Sequence, residues 1–264
     1  MQNPKNSLRQ VTLPEFLRAA QAGSVEAPQP VHSTVAANIF DIIEAGCLKA
    51  RECDVFGKEK LCYLFIGRPS YKKSGKGEAP YWMLPLVFVM KGLANLPIKR
   101  IHPLDTGAFA SGRLPDYLTT FELDSFELGS DPAEISRVIS AFYETTERYM
   151  KGENRSLDSI KAQVQMGVRH ARIEALIRLF SERSLAEIDD RGRNIEVQVG
   201  GDVPLADNLL GVVLPGPYRL DPDIERHLKS LGAKVEYYGI YPLNADAHFG
   251  AVYEAVTKIM QSGK

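Results

Sequence analysis

Two basic side chains sit where the order of the backbone changes. His32, in Val31-His32-Ser33-Thr34, lies where a short strand hands over to a helix, a place from which a side chain reaches a cleft while its scaffold stays rigid. Arg68, in Gly67-Arg68-Pro69-Ser70-Tyr71, follows an apolar strand in a tight turn, and its planar guanidinium can grip a pyrophosphate bidentately. Tyr63 lies within that strand and Tyr71 ends the turn, so an aromatic face is available on either side of Arg68. Carboxylates follow at Asp105, in Pro103-Leu104-Asp105-Thr106-Gly107, and at Glu122, in Thr120-Phe121-Glu122-Leu123. A cation, an imidazole, aromatic rings and carboxylates are side chains able to bind and polarise a ligand.

Each of these residues also has an ordinary structural role. His32 reads as a capping or hydrogen-bonded histidine, Tyr63 as core, Arg68 as the closure of a turn on a nearby carboxylate, and Asp105 as an Asx turn. Lys72, Lys73 and Lys76 read as a solvated loop, with contact to a nucleic-acid backbone as the alternative. Cys47, Cys53 and Cys62 lack the CxxC spacing of a metal knuckle, and His32 is the only histidine near them, so they read as small buried hydrophobes. The chain has no GxxxxGK followed by Ser or Thr, no GxGxxG between a strand and a helix, no GxSxG and no HExxH. A phosphate-loop ATPase, a dinucleotide-fingerprint dehydrogenase and a zincin are therefore disfavoured.

The elements that must position these side chains are legible from periodicity. A short amphipathic helix spans Leu13 to Ala22, and Ser33 or Thr34 can cap a helix carrying Ile39, Ile42 and Ile43, with Gly46 as its left-handed stop. Leu61–Ile66 and Leu84–Met90 are strands apolar on both faces, hence central in a sheet. Asp131-Pro132 starts a helix running to about Met150, and another spans roughly 157–181. Ile195–Val199 alternates like a strand with one wet face. Leu209–Leu214, 221–231, 233–238 and 249–260 read as strand, helix, strand, helix, with a parallel pair. Lys151–Ser156, polar and containing Gly152, is the best boundary, dividing a first part (1–150) from a second (157–264). The fold class is α/β: an α+β first part and a βαβ-type second part.

Composition bounds the rest. The 264 residues are 44% hydrophobic and 25% charged, which excludes disorder or coiled coil as a whole-chain reading. Lys plus Arg number 32 against 33 Asp plus Glu, a balance that argues against a dedicated nucleic-acid coat protein. No run approaches the roughly 18 apolar residues that cross a bilayer, and no apolar stretch follows the N-terminal charge, so neither a membrane span nor a secretory signal is expected. An odd cysteine count without a framework fits a reducing compartment, with the cytoplasm as the default.

The stretch Val31-His32-Ser33-Thr34, Asn38-Ile39, Ile42-Ile43, Gly46-Cys47-Leu48, then Leu61–Phe65, resembles the opening of the ADP-ribosyltransferase fold, over about residues 31–122. That group includes poly-ADP-ribose polymerase-like enzymes, DNA- and RNA-modifying toxins and tRNA 2′-phosphotransferases. The resemblance implies a split-sheet core and NAD as substrate. His32 would hydrogen-bond the nicotinamide-side ribose, Tyr63 or Tyr71 would stack on the nicotinamide, and Arg68 would hold the pyrophosphate. The acidic residue of the family would be Asp105 or Glu122. The implied reaction is transfer of ADP-ribose to an acceptor macromolecule, nucleic acid among the candidates, or hydrolysis of NAD.

A rival lies in the second part. Glu174, Asp190 and Glu196-Val197-Gln198 resemble a restriction-endonuclease-type D…ExK motif with Gln in place of Lys, in which two carboxylates hold a divalent metal for phosphodiester hydrolysis. Glu196 and Gln198 equally suit the wet face of a half-exposed strand. A third reading is a non-enzymatic sensor that binds a nucleotide or a partner.

Overall fold

The structure is a computed structural model, and it describes residues 9–70, 79–182, 190–240 and 245–262. Its strands are β1 (Pro30–Val35), β2 (Cys47–Leu48), β3 (Arg51–Glu52), β4 (Lys60–Ile66), β5 (Pro85–Met90), β6 (Ile98–His102), β7 (Glu196–Gly200), β8 (Val203–Pro204), β9 (Leu209–Pro215) and β10 (Lys234–Tyr238). Its helices are α1 (Leu13–Ala19), α2 (Ile39–Ala45), α3 (Thr106–Ala110), α4 (Asp116–Thr119), α5 (Ala133–Tyr143), α6 (Thr146–Lys151), α7 (Leu157–Val164), α8 (Ala171–Ser181), α9 (Pro222–Ser230) and α10 (Ala245–Gln261). The fold is α/β.

One mixed sheet organises the chain, in the order β10-β9-β5-β1-β4-β7-β6, with β3 added to β4. β4 and β5 are interior strands, as their unbroken apolar runs require. β9 and β10 are parallel and joined through α9, the one crossover unit that the alternation of the last part indicates. The other pairings in this sheet are antiparallel.

The polar stretch 151–156 does not separate two sheets. β7, from beyond it, lies between β4 and β6, and β9 pairs with β5. The two expected parts share one sheet and one core.

That core covers one face of the sheet, where Leu64, Phe88, Val197 and Val212 meet Phe16 of α1, Phe142 of α5 and Phe180 of α8. On the other face Val31, Val87, Val89 and Val213 lie under Val252, Val256 and Ile259 of α10. α10 approaches so closely that a Cβ at Gly211 would stand 2.7 Å from Ile259 Cγ2 and 2.9 Å from the Lys234 carbonyl, so only glycine fits that strand position.

Three expectations are corrected. The helix expected from Asp131 to Met150 breaks at Glu144 (φ +69°), and Thr145 caps a separate α6 through the Arg148 N–H. The helix expected over 157–181 is two, because Gln165 takes a left-handed conformation after α7. The Ile195–Val199 strand has no wet face: as an interior strand, β7 buries Val197 and Val199 on one side and Glu196 and Gln198 on the other.

Candidate functional site

β1 and β4 are register partners only at Pro30–Ile66 and Val31–Phe65. Beyond Val31 they part, and between the separated strands opens a cleft of about 790 Å3. His32 sits at the fork. Its Nδ1 lies 2.9 Å from the Tyr63 carbonyl, across the gap where a ladder bond would otherwise run. A carbonyl oxygen can only accept, so Nδ1 carries the proton and Nε2 is a bare acceptor. Burial holds the imidazole pKa below its ordinary value, with Arg51 acting in the same direction, against the pull of the Tyr63 carbonyl. The ring is neutral at pH 7.

The strand period of two places Thr34 on the same face as His32, and both line the cleft. Asn38, in the 3-10 turn Ala36–Asn38, donates its Nδ2 to Thr34 Oγ1 at 2.7 Å, which leaves the Thr34 proton to be donated elsewhere. α2 forms one wall and carries Asp41 and Glu44. Gly46 ends it at φ +64°, as the sequence indicates, and turns the chain into β2. β2 is held by β8, and Asp202 Oδ1 accepts the Ala50 N–H at 2.8 Å. Lys49 and Arg51 line the cleft as well, and neither is paired with a carboxylate among the described residues. The sequence offers Ser33 or Thr34 as a helix cap, a role neither plays, since neither the 3-10 turn nor α2 has a side-chain cap; it assigns Asn38 no ligand role.

A second polar group lies on the buried face of β7. Register partners share a face, so Tyr63, Gln198 and Arg100 form one row, and Phe65, Glu196 and His102 the next. Glu196 accepts from Thr106 N at 3.0 Å, Thr106 Oγ1 at 2.8 Å and Gln198 Nε2 at 2.8 Å. Burial, and then the neighbouring Asp105, push its carboxyl up to about 8, against those hydrogen bonds. Asp105 is itself raised by burial, although its Oδ1 caps α3 by accepting the Ala108 N–H at 2.6 Å. His102 is fully buried, lowered to about 4 by burial and then by Arg100, and neither ring nitrogen has a hydrogen-bond partner among the described residues. Arg100 bonds Gln198 Oε1 at 3.0 Å, pairs with Glu59 and lies 4.4 Å over the Phe56 ring.

Of the residues singled out in the sequence, His32 and Tyr63 come together at the cleft. The Tyr63 hydroxyl donates to Cys53 Sγ, and burial raises its pKa. Arg68 is elsewhere: it is buried, bonds the Arg193 carbonyl at 2.5 Å and lies 4.4 Å over the Tyr149 ring, tying α6 to the end of β4. Asp105 caps α3 beneath Thr106, and Glu122 is exposed at the start of the 3-10 turn Leu123–Phe126; neither lines the cleft. Tyr71, Lys72, Lys73 and Lys76 lie outside the described residues, as does the side chain of Asp190. Glu174, on α8, is bound by Lys161 at 3.0 Å and Arg178 at 2.8 Å, whereas the partners of Glu196 are Thr106 and Gln198. The cysteines are free thiols, Cys53 and Cys62 buried and Cys47 partly so.

Arg68→Ala is expected to lower unfolding stability by roughly 2 kcal/mol or more, because the Tyr149 face and the Arg193 carbonyl lose a buried partner. Chemical denaturation measures it; an unchanged midpoint would contradict the structural role.

No family model matches the chain, and no curated protein or solved structure is significantly similar to it.

Proposed function

We propose that the cleft between β1 and β4 is a binding site for a ribose-bearing nucleotide, with NAD as its ligand. The observation that carries this reading is the hydrogen bond of His32 Nδ1 to the Tyr63 carbonyl, on a residue that lines the cleft: it leaves Nε2 as an acceptor. Beside it Thr34 has a proton to donate. A sugar hydroxyl both donates and accepts, so adjacent ribose hydroxyls satisfy the two together, whereas an anionic oxygen on Nε2 is refused. Lys49 and Arg51 stand ready for the phosphates.

Binding is the core of the proposal, and a sensor role follows from it. Turnover needs a carboxylate beside the breaking glycosidic bond. Asp41, Glu44 and Glu52 line the cleft, while Asp105 and Glu122 do not, so ADP-ribosyl transfer or NAD hydrolysis through the latter pair gains no support. The metal-dependent nuclease gains none either: among the described residues no three His, Cys, Asp or Glu side chains are placed to hold a metal ion. No helix among the described residues is long and apolar enough to cross a membrane. The free thiols support a reducing, cytoplasmic setting.

Calorimetric titration with NAD and with ADP-ribose, alongside a nicotinamide-release assay, tests the reading. Saturable heat with an affinity between about micromolar and millimolar is expected, and His32→Ala should weaken it at least about tenfold, equivalent to ~1.4 kcal/mol. Arg68→Ala should leave the affinity unchanged. Absence of heat with both ligands would overturn the proposal. Steady release of nicotinamide would add an enzymatic step and direct attention to Asp41, Glu44 and Glu52.

A further inference from the structure

Large apolar side chains that stay in water are few among the described residues, and they are not scattered. Phe40, Tyr81, Trp82, Met83 and Leu220 are exposed by 54%, 43%, 48%, 43% and 88%, leaving Val168 as the outlier. The five belong to one end of the sheet, where β1 stops opposite the start of β5 and β9 stops beside the end of β10. The 3-10 turn Tyr81–Met83 packs on the turn Ala36–Asn38, with the Ala36 N–H bonded to the Leu84 carbonyl at 2.9 Å, and Phe40 follows on the first turn of α2. The Tyr81 ring meets Trp82 edge-on at 5.1 Å and Tyr218 at 5.7 Å, and Leu220 closes the 3-10 turn that carries Tyr218.

A gathered apolar patch of this kind marks an interaction surface, and Trp, Tyr, Phe and Met are the side chains that concentrate there. Around it the described carboxylates outnumber the described cations: Arg219, next to Leu220, is drawn onto the Tyr237 ring at 4.9 Å, while the carboxylates stay unpaired. α2 carries Asp41 and Glu44, unpaired with any cation among the described residues, and contains no Lys or Arg; Leu220 runs directly into Asp221. A nucleic-acid strand could stack bases on the same rings, but beside them its phosphates would meet Asp41, Glu44 and Asp221 against Arg219, with Lys49 and Arg51 inside the cleft. We propose that this rim docks a protein segment with an apolar centre and basic flanks. The inference needs no nucleotide in the cleft and stands whether or not NAD binds.

Trp82 is the chain's only tryptophan, so its emission reports this patch alone. The probes are two 16-residue helical peptides without tryptophan, one of Leu and Lys and one of Leu and Glu with the same apolar content, and a 15-nucleotide thymidine strand. The Leu/Lys peptide is expected to move the emission to shorter wavelength and to bind at least tenfold more tightly than the Leu/Glu peptide. Phe40→Ser, at an exposed position outside the core, should weaken that binding at least fivefold. Asp41→Asn with Glu44→Gln should abolish the preference for the basic peptide. No shift with either peptide, an equal response to both, or tighter binding of the thymidine strand would overturn the proposal. A shift produced by concentrating the protein alone would overturn it too, and would assign the rim to a second copy of the chain.

Discussion

Residues 1–150 produced alone are expected to show no cooperative unfolding transition. Without residues beyond 150, β4 and β6 lose β7 from between them, and β5 loses β9. The core loses with them Val197, Val199, Val212 and Leu214, and the packing of Phe180 on Phe142 at a centroid distance of 5.3 Å. What remains keeps only the β1–β4 and β1–β5 pairings and the short β3, with apolar strand edges open to solvent. Domains hold together by about 5–15 kcal/mol, and removing two interior strands exceeds that margin. Thermal melts followed by near-ultraviolet circular dichroism measure the outcome. A cooperative melt for the fragment would show that the first part is a domain in its own right.

Replacing Glu196 should produce the second-largest effect, and one that depends on pH. Its folded pKa of about 8 lies above the ordinary carboxyl value of 4.5, so the folded state holds a proton that the unfolded chain releases in between. The stability from that proton is complete below about pH 4.5 and is lost as pH rises toward 8, with a limiting slope near 1.4 kcal/mol per unit. His102 works the other way. Its folded value of about 4 lies below 6.5, so its contribution is complete above 6.5 and lost as pH falls toward 4. Raised Asp105 adds to the first trend, lowered His32 and His248 to the second. The two trends oppose each other between about 4.5 and 6.5, and from 6.5 to 8 the decline from Glu196 stands alone among these two. Glu196→Gln keeps the shape of the protonated acid and should flatten the decline above pH 6.5. Glu196→Ala should cost about 2–4 kcal/mol at pH 6.5, since Thr106 N–H, Thr106 Oγ1 and the Gln198 amide lose their acceptor in a dry site. Urea titrations at pH 6.5 and 8 decide it; a slope that survives in Glu196→Gln would remove the carboxyl from this role.

Local pattern made much of the scaffold legible. The double apolar runs of β4 and β5, the α2 helix with its Gly46 stop and the parallel β9–β10 unit are all written in neighbouring residues. The insertion of β7 between β4 and β6 is not, because a strand's partner is chosen by the whole sheet rather than by its own alternation. The same cause hid the burial of Glu196 and Gln198, whose polar face looks wet until β4, β6 and Thr106 enclose it. At the cleft, His32 was singled out as a histidine at a strand's end, whereas it is the third residue of β1, and its tautomer depends on a carbonyl 31 residues away. Arg68 has a composition fit for phosphate, yet the sequence could not show that Tyr149 and the Arg193 carbonyl would claim it first.

The interleaved strand order also sets a timetable for synthesis. β4 ends at residue 66 and its neighbour β7 starts at 196, so at the usual elongation rate of about 5–20 residues per second the ribosome needs on the order of ten seconds to deliver the second strand after the first. During that interval Leu61-Cys62-Tyr63-Leu64-Phe65-Ile66, a six-residue run without charge or proline, has one edge open. Contacts so distant along the chain also slow folding once synthesis is complete. The strand order therefore leaves the β7-side edge of β4 without its native neighbour until all of the chain up to β7 has been made.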